Sequence, residues 1–350
     1  NRAVAWEKTI PFPPPHKNNN LDLPIAFRVN QTMKHSIHIV PSNIQFHATE
    51  DISILESALQ AKLHLAHSCN NGSCGACKAR ILKGDAEIRD GYILTCSAKP
   101  QSSLEIEATY YPELDGIQQK VLPCKVDHID FPASDVAILK LRLPPNNKLN
   151  YLPGQYIDLI YQDLSRSYSI ASAQKNNNTI ELHIRKIPDG VFSQRVFEAF
   201  KQNQLLRLKG PLGTFFVRDS KAPIIFVAGG TGFAPVKAMI EGLLSEKLQR
   251  QIYLYWGSQT IEGFYSQLPE QWQHEHSNIQ FVPVLSGESA SWTGRRGYVH
   301  QSVLEDFNHL SAFEVYVCGS PAMIEAAKPE FMANGLKPNH FFSDAFVPST

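Results

Sequence analysis

The chain has 350 residues and a mass of 39.2 kDa, which at roughly 100–200 residues per domain holds two or three domains. Its 33 Lys and Arg balance 33 Asp and Glu, so no cationic excess exists to release counterions from a polyanion, and nucleic acid is excluded as the expected partner. A hydrophobic content of 43% is too high for a disordered chain, and no stretch approaches about 18 uninterrupted apolar residues, so no membrane span is expected.

Residues 1–32 carry Pro11-Phe12-Pro13-Pro14-Pro15 and Asn18-Asn19-Asn20. They read as a disordered extension or as an arm recognised in extended form by a partner. No apolar run of about 7–15 residues follows a basic start, so export is not expected. The expected setting is a reducing cytoplasm, where clustered thiols point to metal rather than disulfides.

Three blocks follow. In the first, 35–48 alternates as a short hairpin, and Asp51 and Ser53 precede a helix through Ile54-Leu55-Glu56-Ser57-Ala58-Leu59. A cysteine-rich stretch and a closing strand, Leu104–Ala108, complete it. The second block has alternating strands at Val136–Leu143, Tyr156–Ile160 and Thr179–Ile184, with one helix near 192–200, as in an antiparallel barrel. The third block starts near Pro223. Its apolar runs at 224–228, 252–256, 279–284 and 315–318 are separated by helical segments, which implies a parallel sheet covered by helices. The expected domains are 33–118, 119–220 and 221–350, behind the extension 1–32. The fold class is a multidomain α+β and α/β protein, with a ferredoxin-like β-grasp domain, an antiparallel β-barrel and a parallel α/β domain.

Four of the six cysteines follow the pattern C-x4-C-x2-C-x18-C: Cys69, Cys74, Cys77 and Cys96. The first three match the plant-type spacing for a [2Fe–2S] cluster held by four thiolates. Gly72 and Gly75 let the loop turn tightly and aim N–H groups at sulfur. The fourth ligand arrives from a separate strand, Tyr92–Cys96. A four-cysteine zinc site is the alternative, although such sites usually show two closely spaced pairs.

In the second block, Arg166-Ser167-Tyr168-Ser169 precedes Gly190-Val191-Phe192-Ser193 by about twenty residues. The latter opens the helix and offers N–H groups and a positive dipole to a pyrophosphate. In the third, Gly230-Thr231-Gly232-Phe233-Ala234-Pro235 follows a buried strand and opens a helix, and Cys318-Gly319-Ser320-Pro321-Ala322-Met323 repeats that geometry. Cys124 has no such context and reads as a small buried hydrophobe.

These strings together resemble the ferredoxin–NADP reductase superfamily with an N-terminal plant-type ferredoxin domain, over about 33–350. The resemblance implies that Arg166 pairs with an FAD phosphate and that Tyr168 packs on the flavin. Ser169 would lie beside its N5, with Ser167 in the same string, which follows one strand and precedes another and by itself reads as a surface turn. Gly190, Val191 and Ser193 would bind pyrophosphate. Arg185 is a further contact or an exposed strand residue. FAD is favoured over FMN because the Gly190–Ser193 turn supplies a second phosphate site. Gly230, Thr231, Gly232 and Pro235, with Cys318, Gly319 and Met323, would bind the nicotinamide dinucleotide. No basic residue follows Gly257-Ser258-Gln259, which favours NADH over NADPH, unless Arg295 and Arg296 fold nearby. The C-terminal Phe346 would cover the flavin until nicotinamide displaces it, and Asp344 would make a polar contact there. Ser169, Cys318, Asp344 and Phe346 are therefore the candidate catalytic residues.

The implied activity is that of an NAD(P)H-dependent oxidoreductase carrying electrons from NAD(P)H to FAD to [2Fe–2S] to an electron-accepting protein. The overall likeness, including the tail Ser343-Asp344-Ala345-Phe346, favours reductases that serve a pyridoxamine-phosphate-dependent dehydrase of 3-deoxysugar formation. Reductase components of aromatic-ring and alkane oxygenases share the same modules. A redox sensor would need a signalling output, and no such segment is apparent.

Overall fold

The computed structural model describes residues 33–346 apart from 69, 71, 73, 74, 89, 90, 175–177 and 248. The expectations for the extension 1–32 and for Cys69 and Cys74 lie outside the described residues.

The first sheet comprises β1 (Lys34–Val40), β2 (Ile44–Thr49), β3 (Lys78–Lys83), β4 (Ile93–Leu94) and β5 (Leu104–Glu107) in the order β2-β1-β5-β3-β4. The hairpin is the expected one. Ile37 and Ile39 alternate inward and meet α1 (Ile54–Gln60) through Ile54 and Ala58. Ser53 caps α1 by accepting from the Glu56 N–H, which satisfies one of the helix's unpaired donors. Cys96 is not on a strand. After Leu94 the chain turns, with Ser97 and Ala98 both donating to the Leu94 carbonyl, so Cys96 is carried by a turn. Residues 108–119, with a single 3-10 turn at Pro112–Leu114, lead to the next sheet.

The second sheet is antiparallel. It contains β6 (Lys120–Ala133), β7 (Val136–Arg142), β8 (Tyr156–Tyr161), β9 (Leu164–Ser169), β10 (Thr179–Arg185) and β11 (Leu205–Leu212), in the order β10-β7-β6-β11-β8-β9. An Ile170–Leu182 bridge joins the two ends of this order and curls the sheet on itself. One helix, α2 (Val191–Glu198), seals the interior with Phe192 and Val196.

The third sheet is wholly parallel. Its strands are β12 (Ile224–Gly229), β13 (Ile252–Ser258), β14 (Ile279–Leu285), β15 (Arg295–Arg296), β16 (Glu314–Gly319) and β17 (Phe341–Ala345), in the order β15-β14-β13-β12-β16-β17. The helices α3 (Phe233–Ser245), α4 (Leu268–Glu275), α5 (Val299–Asp306) and α6 (Pro321–Ala333) cross between strands. Covered on both faces, β12 is buried at every position from Ile224 to Ala228, and β16 throughout. Continuous apolar runs are what such strands require. The chain order reverses between β12 and β16, so a crevice opens beyond their C-terminal ends, the usual place for a ligand in this architecture. Among the described residues no helix is long and apolar enough to cross a membrane.

Candidate active site

The crevice between β12 and β16 holds both glycine-rich turns. Gly230-Thr231-Gly232 forms a tight 3-10 turn, with Gly230 at φ +53°, and delivers the chain into α3. A Cβ on Gly232 would stand 2.2 Å from the Cys318 carbonyl oxygen, so only glycine lets the two turns meet. Pro235 is buried in the first turn of α3, where its missing N–H costs nothing. Met323 lies against Gly229 and Gly319 and closes the floor. Cys318 is fully buried and pairs along the ladder with Asp344. Burial first, and then the Asp344 carboxylate, push its thiol well up, so it stays protonated at neutral pH. Phe346 donates its N–H to the Gly319 carbonyl at 2.8 Å, which folds the C-terminal segment back over the second turn.

The barrel brings its own set to the same region. Arg166-Ser167-Tyr168-Ser169 is not a turn between strands but part of β9 itself. Pairing with β8 sends its side chains alternately to two faces. Tyr168 faces Phe192, with ring centroids 5.8 Å apart, and Arg166 shares that face while donating to the Ser165 carbonyl. Ser167, which donates to Asp158, and the buried Ser169 are on the other face, where Ser169 pairs with Tyr156. In the Gly190 turn, the Ser193 hydroxyl accepts from the Ile187 N–H and donates to the Gly190 carbonyl, and Gly190 N–H donates to the Ile187 carbonyl. These groups hold the turn together, while Val191 beside them is exposed.

Arg185 links the two halves. It pairs with Asp135 at 3.1 Å through Nη1, but its Nη2 is buried with no hydrogen-bond partner. That nitrogen stands 3.2 Å from where a Cβ on Gly230 would be. An unsatisfied guanidinium nitrogen facing a glycine turn and a helix start fits a dinucleotide phosphate, which would supply the missing acceptor.

The cluster loop reaches this region from the first sheet. Cys77 and Cys96 arrive from different elements with their Sγ atoms 3.2 Å apart, a separation that one metal centre can span. Asn70, Gly72 and Gly75 take positive φ values of 57°, 81° and 69°, the tight winding that a cysteine-ligated cluster needs. The loop is fastened to the barrel. Tyr156 donates to the Ser68 carbonyl at 2.7 Å and accepts from Asn70 at 3.1 Å. Thr214 accepts from His67 N–H and donates to the His67 carbonyl. On its other side, Ser68 Oγ donates to Asp344 Oδ1 at 2.6 Å.

A second buried network was not apparent from the sequence. Lys237 on α3 donates to Glu241 at 2.7 Å, to the Ala171 carbonyl at 2.9 Å, and lies 3.0 Å from Glu181. His183 is bonded to Glu181 through Nε2 and to the Tyr265 hydroxyl through Nδ1. Burial keeps His183 neutral, which lets one ring nitrogen donate and the other accept. For Glu181 burial alone acts upward, but the hydrogen bond from His183 and the Lys237 charge outweigh it and hold the carboxyl at about 2. The signal available was Lys237 with Glu241 four residues on, a charged pair on a mostly apolar helix.

Three families match in this order along the chain: the 2Fe-2S iron-sulfur cluster binding domain over 37–101, the oxidoreductase FAD-binding domain over 123–217, and the oxidoreductase NAD-binding domain over 226–329. The chain is 50% identical over 328 residues to the CDP-6-deoxy-L-threo-D-glycero-4-hexulose-3-dehydrase reductase of Yersinia pseudotuberculosis, covering 91% of this chain and 100% of that one. The chain belongs to the ferredoxin–NADP reductase superfamily. Within the superfamily, this reductase is 49% identical to Protein RfbI of Salmonella typhimurium, over 91% of this chain and 98% of the relative. It is 32% identical to reductase component 1 of terephthalate 1,2-dioxygenase from Comamonas, over 91% and 98% of the two chains. Among solved structures, the Amycolatopsis cytochrome P450 reductase GcoB superposes with a TM-score of 0.76 at 25% identity, covering 90% of this chain and 100% of that one. The reductase is thus an NAD(P)H-dependent oxidoreductase that carries electrons from NAD(P)H through FAD to a [2Fe–2S] cluster and on to an accepting protein.

Proposed function

We propose that the reductase draws its electrons from NADH and delivers them to a pyridoxamine-phosphate-dependent dehydrase that acts on a CDP-6-deoxyhexulose in 3-deoxysugar formation. The observation that carries this reading is the 50% identity across the whole length of a relative with that named role. The 32% identity to a dioxygenase reductase component supports an oxygenase as the second reading of the acceptor.

Bound FAD supplies the conversion between a two-electron hydride and single electrons, and a [2Fe–2S] centre supplies the one-electron outlet. The chain's contribution is binding, orientation and exclusion of water. Cys69, Cys74, Cys77 and Cys96 hold the cluster. Arg166, Ser167, Tyr168 and Ser169 bind and orient FAD, with Ser169 beside the reacting edge, and Gly190, Val191 and Ser193 form its phosphate turn. Arg185 pairs with phosphate between the two cofactors. The turns at Gly230–Gly232 and Cys318–Gly319, with Pro235 and Met323, seat the dinucleotide, and Phe346 covers the flavin when nicotinamide is absent. A reducing cytoplasm suits four thiolate ligands and the protonated thiol of Cys318.

The preference for NADH is supported by the arginines near the end of the sheet. Arg295 is tied to Asp306 at 2.8 Å and to the Ser302 carbonyl, and Arg296 donates to the carbonyls of Ser289 and Trp292. A 2′-phosphate would have to displace these partners. The expected kcat/KM ratio of NADH to NADPH is about tenfold or more, equivalent to roughly 1.4 kcal/mol. A ratio near one refutes the preference.

The acceptor is tested by reconstitution. Purified reductase, NADH and CDP-6-deoxy-L-threo-D-glycero-4-hexulose with its 3-dehydrase should give NADH oxidation matched to deoxygenated sugar. Turnover with an oxygenase hydroxylase component, and none with the dehydrase, would establish the second reading instead.

A further inference from the structure

Ser68 precedes the candidate ligand Cys69 and is buried where the three sheets meet. Its carbonyl accepts from Tyr156, the ladder partner of Ser169, and its hydroxyl donates to Asp344, the ladder partner of Cys318. One residue of the cluster loop is therefore tied by its backbone to the flavin side and by its side chain to the nicotinamide side. The neighbouring His67 is held on both backbone groups by Thr214, so the main chain of the loop is anchored to the barrel independently of the Ser68 hydroxyl. What the hydroxyl adds is the connection to β17.

We propose that Ser68 is a positioning residue for electron transfer. Its hydrogen bond to Asp344 fixes the cluster loop in register with the nicotinamide end of the site, so that the cluster receives electrons from the flavin in one defined geometry. Three features favour this over a merely structural bond. The pair is buried, with Ser68 at 7% and Asp344 at 6% exposure, so water does not compete for it. A hydroxyl donating to a carboxylate at 2.6 Å is a charge-assisted bond, stronger than a neutral one. The pair also joins residues 276 positions apart in sequence, at the point where the cluster loop meets the C-terminal segment. The step served moves one electron from the two-electron-reduced flavin to the oxidised cluster, with no heavy-atom bond made or broken. The second electron follows once the cluster has passed the first to the acceptor.

The inference rests on the assignment of the cluster ligands and of Ser169 beside the flavin. The test uses the holoprotein, with Ser68→Ala, Ser68→Thr and, separately, Cys96→Ala. In stopped flow with NADH, Ser68→Ala is expected to bleach the flavin within about twofold of the parent rate and to reduce the cluster about tenfold more slowly, since small displacements of a reacting pair carry penalties of this size or larger. Amide hydrogen exchange over residues 66–72 should rise in Ser68→Ala, and Ser68→Thr, which keeps the hydroxyl, should restore both exchange and rate. Cluster reduction at the parent rate in Ser68→Ala overturns the proposal, as does failure of Ser68→Thr to restore it. Cys96→Ala that keeps its full iron and sulfide content defeats the ligand assignment instead, whatever the Ser68 variants do.

Discussion

At the scale of single residues, a tight steric constraint lies where the two glycine turns meet. With a Cβ on Gly232 only 2.2 Å from a backbone oxygen, Gly232→Ala must push the β12 turn away from β16. Overpacking of this kind typically costs about 1–3 kcal/mol, and here it falls at the proposed seat of the dinucleotide. The expected result is a lower melting temperature together with a raised KM for NADH, read by thermal denaturation and steady-state kinetics. A variant with parent KM would mean that dinucleotide binds elsewhere. Ser169 makes the complementary prediction. It is buried on the face of β9 that meets Tyr156 and the cluster loop, not on the Tyr168 face. Ser169→Ala should retain FAD through dialysis yet bleach more slowly with NADH in stopped flow, and an unchanged rate would remove Ser169 from the reacting edge.

At the scale of elements, the contact between β10 and α3 is built from charge rather than hydrocarbon. Ile180, Leu182 and Ile184 fill the barrel interior, and the alternate face carries Glu181, His183 and Arg185. The folded state holds the Glu181 carboxyl at about 2, below its ordinary 4.5. A depressed carboxylate contributes its stability fully above its ordinary range and loses it as the pH falls towards the folded-state value. Acid unfolding should therefore steepen between about pH 4.5 and 2, and Glu181→Gln should flatten that part of the profile as followed by far-ultraviolet circular dichroism. A similar argument applies where the barrel leads into β12. Arg250 pairs with Glu314 at 2.8 Å, and each is only 6% exposed. Glu314→Ala strands the guanidinium and should destabilise the protein by about 3–5 kcal/mol in urea unfolding. These contacts mark where the sequence was hard to read. Continuous apolar runs identified every long strand of the parallel sheet, and alternation identified β1, β7, β8 and β10. Alternation also suggests that the polar face of β10 meets water, because the period-2 signal cannot tell solvent from another domain's Lys237. The long strand β6 was missed because Pro123 and Pro132 lie within it and its charged residues Lys120, Lys125, Asp127 and Asp130 are unevenly spaced. The cysteine spacing pointed to a candidate ligand set, but not to Cys96 riding on a turn, and nothing near Ser68 announced a partner on the last strand.

The described residues form three sheets that meet at one small region, each contributing short segments rather than a pre-cut pocket. Arg218 illustrates the joint: its guanidinium lies 4.1 Å from the Tyr111 ring centroid, 3.7 Å from that of Phe216 and 4.9 Å from that of Phe342. Cation–π contacts of this kind, about 0.5–2 kcal/mol each, reward a single arrangement of the segments that supply the rings. The segment 108–119, which leads from β5 to β6, has a kinetic consequence. A cluster carried on the same chain is presented to its donor at the millimolar effective concentrations typical of short tethers, with the docking contacts selecting the productive encounter. Internal reduction should then be first order and unchanged on diluting the protein a hundredfold, while only delivery to the external acceptor slows with dilution. The cell's supply of reductase and acceptor sets that last, bimolecular hop, whereas the flavin-to-cluster transfer before it proceeds at a rate fixed within the chain.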